Sequence, residues 1–152
     1  MKSVVRMLFA GFAVSLMAGC ASGVKHSEMA SSMPTLKQGE GRVYFMRSAS
    51  MFGAAVQPDI RLNGEVVGES KPGGFFFVDR PAGKYVASSA TETEKTLSFA
   101  LDAGETKYVR TYPSMGFAVG RVILELETPE KARAALADLA YTGDTVKTAA
   151  VK

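Results

Sequence analysis

Asp59-Ile60-Arg61-Leu62-Asn63-Gly64-Glu65-Val66-Val67-Gly68 places Asn-Gly between two short apolar runs. Both turn residues tolerate positive φ, which favours a two-residue type I′ turn and makes the stretch a β-hairpin. In that register Ile60 faces Val67 and Leu62 faces Glu65, so Ile60, Leu62 and Val67 share one side. Upstream, Arg42–Arg47 (RVYFMR) is apolar on both faces and suits a strand inside a packed sheet. Ser48–Pro58 connects the two irregularly, with Met51, Phe52 and Gly53 at its middle.

Downstream the same grammar repeats. Lys71-Pro72-Gly73-Gly74 is a loop, and Phe75–Asp79 is a strand with Phe76 and Val78 on one face. Arg80-Pro81-Ala82-Gly83 has proline second and glycine fourth, the preference of a type I turn, and Lys84–Ala90 returns as a strand. Thr96–Leu101 alternates, with Leu97, Phe99 and Leu101 inward. Asp102-Ala103-Gly104 turns into Thr106–Tyr112, where Tyr108, Arg110 and Tyr112 share a face. Arg121–Glu127 alternates again and buries Val122, Leu124 and Leu126. About seven short strands with turns every 8–12 residues predict an all-β fold, a β-sandwich.

The period then changes. Thr128 can cap, Pro129 suits the first helical position, and Glu130 favours the positive end of the helix dipole. Ala132, Ala135, Leu136 and Leu139 form a stripe at helical spacing, and Gly143 offers a stop. One short C-terminal α-helix is expected to plug an end or a face of the strands. The sandwich and its helix thus span residues 41–142, and residues 143–152 read as a disordered tail.

The beginning of the chain obeys a different logic. Met1–Arg6 carries Lys2 and Arg6 and no acid, and Met7–Met17 is apolar or small throughout. That is the layout of a secretory signal peptide. A membrane span would need about 20 apolar residues, more than this run supplies. Leu16-Met17-Ala18-Gly19-Cys20 closes it with small residues ahead of the single cysteine. This resembles the bacterial lipobox, with methionine at Met17 where leucine is commoner. The resemblance implies recognition of Leu16, Met17, Ala18 and Gly19 by lipoprotein signal peptidase, diacylglyceryl transfer to the Cys20 thiol, and removal of residues 1–19. Acylation of the freed amine would complete a firm anchor in the bilayer, since one acyl chain alone binds only marginally. Ala21 is not an aspartate, so the inner-membrane retention signal is missing and the outer membrane, periplasm-facing, is the expected destination.

Ala21–Glu40 is serine-rich, holds Pro34 and shows no sustained period. With Cys20 it reads as a lipidated, flexible tether over residues 20–40, about 70 Å long when stretched and about 25 Å on average. His26, the single histidine, lies in it and reads as solvated. Removing residues 1–19 takes the formal charge from +3 (18 Lys and Arg against 15 Asp and Glu) to +1 (16 against 15). Nucleic-acid binding calls for a concentrated basic stripe, and the chain has none.

The blocks Gly41-Arg42-Val43-Tyr44-Phe45, Asp59–Gly68, Asp79-Arg80-Pro81-Ala82-Gly83-Lys84-Tyr85 and Ala103-Gly104-Glu105-Thr106-Lys107-Tyr108-Val109-Arg110 resemble DUF2846. That is a domain of unknown function in small bacterial lipoproteins, with a β-sandwich and no assigned activity. The likeness covers Gly41 to Leu139. More loosely, Asn-Gly…Gly followed by Pro-x-Gly-x-Tyr is similar to PEGA-type, transthyretin-like or immunoglobulin-like modules, which bind or space rather than catalyse.

No catalytic constellation emerges. Glu92 with Glu94, and Glu125 with Glu127, lie two apart and would share a strand face, but a solvated outer face accounts for them. Gly68-Glu69-Ser70-Lys71 lacks phosphate-loop spacing, Ser88-Ser89 has no base partner, and Gly116-x-x-x-Gly120 between strands suits glycine bulges. No metal site, cofactor or enzymatic activity is expected. An internal echo supplies the remaining candidate. Ser50–Val56 resembles Ser114–Gly120, each loop following a strand with an aromatic beside glycine. Met51, Phe52, Met115 and Phe117 are therefore candidate contacts for an envelope protein or cell-wall component such as peptidoglycan, unless the loops fold inward and complete the core. A structural spacer, or a hydrolase of envelope glycans or lipids, are the competing readings.

Overall fold

The computed structural model describes residues 20–143. The signal-peptide reading of residues 1–19, with Leu16, Met17, Ala18 and Gly19, lies outside the described residues, as does the tail beyond Gly143. Strand β1 (Glu40–Arg47) is buried from Gly41 to Arg47, as an apolar run on both faces requires. It lies between β4 (Gly74–Pro81), antiparallel to it, and β7 (Thr106–Ser114), parallel to it. With β8 (Arg121–Leu126) beside β7 and β9 (Ala140–Tyr141) beside β4, they form a sheet in the order β8-β7-β1-β4-β9. The second sheet runs β3-β2-β5-β6, from β2 (Asp59–Leu62), β3 (Glu65–Glu69), β5 (Gly83–Ala90) and β6 (Glu94–Leu101), all antiparallel.

Alternation along β1 sends its side chains into two cores. Val43 and Phe45 join Ile60, Leu62, Phe76, Ala87, Leu101, Val109 and Leu124 between the sheets, where Phe45 stacks on Phe76 at 5.0 Å. Tyr44 and Met46 join Phe75 and Tyr108 on the opposite face, roofed by Ala132 and Leu136 of helix α2 (Pro129–Leu136) and by Leu139. The expected β-sandwich is present, with nine strands among the described residues, and the C-terminal helix covers a face rather than an end.

Several local expectations are corrected. The Asn63-Gly64 turn has positive φ at both residues, 49° and 85°, and Leu62 pairs with Glu65. Ile60, however, faces Gly68 and not Val67, because a bulge leaves Val67 as the extra residue, still turned into the core. A side chain at Gly68 would run into the Phe76 ring, so the bulge closes onto the facing sheet. Arg80–Gly83 is no hairpin turn: β4 and β5 belong to different sheets, and the chain crosses between them at Ala82. Tyr85 Oη donates to the Pro81 carbonyl at 2.7 Å across this corner. Leu126 is 46% exposed, at the end of an edge strand. Helix α2 stops at Leu136, short of Gly143, and Thr128 makes no side-chain cap. Ala140–Tyr141 leaves it to pair with β4.

The largest correction concerns the segment read as a flexible tether. It carries a short helix α1 (His26–Met29) and a 3₁₀ turn (Ala30–Ser32), and it is seated on the first sheet. Ala21 N–H donates to Pro72 O, Tyr141 N–H to Val24 O, and His26 N–H to Leu139 O. Arg42, paired with Asp79 at 2.7 Å and stacked over Phe77, donates to Pro34 O. His26 is half-buried rather than free in solvent: its ring meets Phe75 and Tyr44 edge-on at 5.2 and 5.8 Å. The reason is geometric. Helix α2 leaves part of the aromatic outer face uncovered, and Met29 and Met33 pack against it.

This seating is pH-linked. Desolvation lowers the His26 pKa from 6.5, so the docked segment disfavours the imidazolium. Docking is complete above the undocked value and weakens as pH falls below it. After correction for intrinsic rates, the Tyr141 amide is expected to exchange faster at pH 5 than at pH 7, and His26→Phe should abolish the difference. Equal protection at both pH values would contradict a half-buried ring that disfavours the imidazolium.

Candidate functional site

Strand directions gather four connections at one end of the sandwich: residues 48–58, 70–73, 91–93 and 115–120. The two echoing loops are thus neighbours. Their tips face solvent, with Met51 88%, Phe52 54%, Met115 77% and Phe117 97% exposed, which removes the reading in which they complete the core. Val119, exposed as well, extends the patch. A cavity of about 340 Å³ between them is lined by Phe52, Gly53, Val56, Pro113, Met115 and Phe117.

Two charged side chains, one buried and one half-buried, hold these loops. Arg47 ends β1 with only 1% of its surface exposed, and its guanidinium donates to Val56 O at 2.7 Å, Gly53 O at 2.7 Å and Ser70 O at 3.0 Å. Three main-chain carbonyls take the place of a carboxylate partner, and desolvation lowers the arginine pKa from a value far above neutrality. Behind it, Ser70 Oγ and Thr111 Oγ1 lie 2.8 Å apart, and Thr111 reaches Met46 O. Gly53, at φ 64°, lies so close to Pro113 that a side chain there would collide with it.

The second loop is organised by Glu92. Its carboxylate accepts from the main-chain N–H groups of Phe117, Ala118, Val119 and Gly120, at 3.1, 3.2, 3.3 and 3.1 Å. Any side chain at Gly116 would occupy the space of that carboxylate. Glu92 lies in the connection before β6 while Glu94 begins the strand, so the two do not form a same-face pair. Glu125 and Glu127 do converge, on Arg110, at 2.9 and 3.4 Å. Tyr112 Oη donates to Glu125 at 2.7 Å, which holds the carboxylate below and the phenol above its ordinary pKa. These carboxylates are committed to structural bonds. Among the described residues no three His, Cys, Asp or Glu side chains converge to hold a metal, and no helix is long and apolar enough to cross a membrane.

Cys20 is exposed, and the bond from Ala21 to Pro72 O places it at this same end. Gly73 in turn approaches Ala49 in the Phe52 loop. The roles of Arg47 and Glu92 were missed in the sequence. The one available signal for Arg47 was a charged residue closing an otherwise apolar strand; Glu92 meets its partners across 25 to 28 residues, and nothing local announces it.

Two variants test this scaffold. Arg47→Met should destabilise the domain by about 2 kcal/mol or more in urea unfolding, because each buried carbonyl left unpaired costs about 1–3 kcal/mol. A loss below about 0.5 kcal/mol would show the loops to be self-supporting. Glu92→Ala should leave the global transition nearly unmoved while the amides of residues 117–120 exchange about tenfold faster or more. Unchanged exchange would remove Glu92 as the organiser.

The chain matches a family model described as "Protein of unknown function (DUF2846)" over residues 37–122. It is 27% identical over 144 residues to an uncharacterized protein of Haemophilus influenzae, an alignment covering 89% of this chain and 85% of that protein. No solved structure matches it. The β2–β3 hairpin, the Pro81 corner and all of β7 fall within the matched span, and the chain belongs to the DUF2846 family.

Proposed function

We propose that the chain is an acylated, non-catalytic lipoprotein of the bacterial envelope, held in the outer membrane through Cys20, whose β-sandwich works by contact. The observation that carries this reading is the exposed cluster of Met51, Phe52, Met115 and Phe117, on loops held by hydrogen bonds from the buried Arg47 and to the half-buried Glu92. An apolar patch maintained at such cost marks an interaction surface. The lipobox-like Leu16–Cys20 run supplies the anchor, and Ala21 after it favours outer-membrane sorting. A contact role accords with the carboxylates, which are spent on loop and strand cohesion. Binding of a protein partner or cell-wall component is the contact class anticipated from the sequence.

Labelling with a radioactive fatty acid, followed by membrane fractionation, tests the anchor. Wild type is expected to carry label and sediment with outer membrane, and Cys20→Ser to do neither. An unlabelled, soluble wild type would refute the lipoprotein reading outright.

A further inference from the structure

We infer that the apolar end of the sandwich rests in the bilayer itself, with Met51, Phe52, Met115, Phe117 and Val119 entering the headgroup–acyl boundary beside the acylated Cys20. The inference deepens the proposed anchoring and rests on it.

Position is the first ground. Ala21 is fixed to Pro72 O at 3.1 Å, and a side chain at Gly74 would touch its Cβ. Cys20 is one residue away, about 3.8 Å along the chain. Acyl chains on that residue leave the protein at the end where the two loops protrude. A free tether of twenty residues would have let the domain float clear of the lipid; the seated segment does not.

Chemistry is the second. Ser50–Val56 and Ser114–Gly120 contain no ionisable side chain, and the carboxylate at the second tip, Glu92, is taken up by four main-chain N–H groups. The main chain of the second tip is also prepared. Four successive N–H groups, Phe117 to Gly120, are satisfied by Glu92. In water those donors would have solvent partners without help. In an apolar medium they must be satisfied internally, and they are. Contact of five apolar side chains beside covalent lipid follows the two-signal logic of membrane anchoring.

The chain has no tryptophan, so single substitutions give unambiguous probes. Phe117→Trp and Phe52→Trp report on the loops, and Lys84→Trp, an exposed site near the opposite end, serves as reference. Each full-length acylated protein is reconstituted into phosphatidylethanolamine–phosphatidylglycerol vesicles whose acyl chains are brominated near the headgroup. F117W and F52W emission should fall at least twofold relative to unbrominated vesicles, with K84W unchanged. If the proteins sediment with vesicles but F117W and F52W are not quenched, the anchor stands and the bilayer contact is wrong; a protein cross-linked from position 117 in cells would then name the true occupant. Equal quenching of K84W would overturn the orientation. Failure of the acylated proteins to sediment would overturn the anchor and this inference with it.

Discussion

A strand that is apolar on both faces cannot be satisfied by one sheet packing on another. β1 carries Val43 and Phe45 on one side and Tyr44 and Met46 on the other, all buried. A simple sandwich would cover the first pair and leave the second in water. Sandwiching β1 between β4 and β7 hides its edges, the β3-β2-β5-β6 sheet covers one face, and α2 with the N-terminal segment covers the other. Full burial of each large apolar side chain is worth about 1.5–3 kcal/mol, so leaving that face open would forfeit much of a small domain's stability. The third layer is a consequence of the composition of one strand.

The same strand sets up the loop end. β1 finishes on a charged residue that the packing has already buried, and the guanidinium must find acceptors where it lies. It finds them in the main chain of the connection that β1 itself leads into and at Ser70, where β3 gives way to β4. Those bonds fix the backbone at Gly53 and Val56, in the loop whose tip exposes Met51 and Phe52. Glu92 holds the neighbouring loop with the signs reversed, an anion collecting the N–H dipoles of Phe117 to Gly120 below the exposed Met115 and Phe117.

What could be read from the sequence was what is decided locally. The type I′ turn depends on Asn63 and Gly64 alone, and the inward sets Phe76–Val78 and Leu97–Leu101 depend on period-two alternation. Features decided by distant neighbours were not legible. The bulge at Val67 is imposed by the way Gly68 closes on Phe76 from another sheet, and the corner at Ala82 looks like a turn until its flanking strands are known to belong to different layers. The segment 21–40 has the composition of a linker, and its helix is too short to announce itself. It is held by an aromatic face that only the assembled sheet presents. The candidate loop residues were legible as an echo in the sequence; their adjacency, and the two charged residues that aim them, required the topology.

The seated segment also changes what an anchor at Cys20 means physically. A lipid anchor on a flexible chain fixes distance only loosely and orientation not at all, because a coil of twenty residues explores a sphere about 25 Å in radius. Here the chain is captured again at Ala21, and then at Val24 and His26 by the β9 region. Little rotational freedom remains between Cys20 and the sheet. The cost of ordering these residues is offset by their burial against Tyr44 and Phe75 and does not have to be met at the membrane. A domain held so closely to an acylated Cys20, as we propose it is, would present the same end to the lipid at every encounter. At that end the side chains are apolar and the main chain of the Phe117 loop is already hydrogen-bonded.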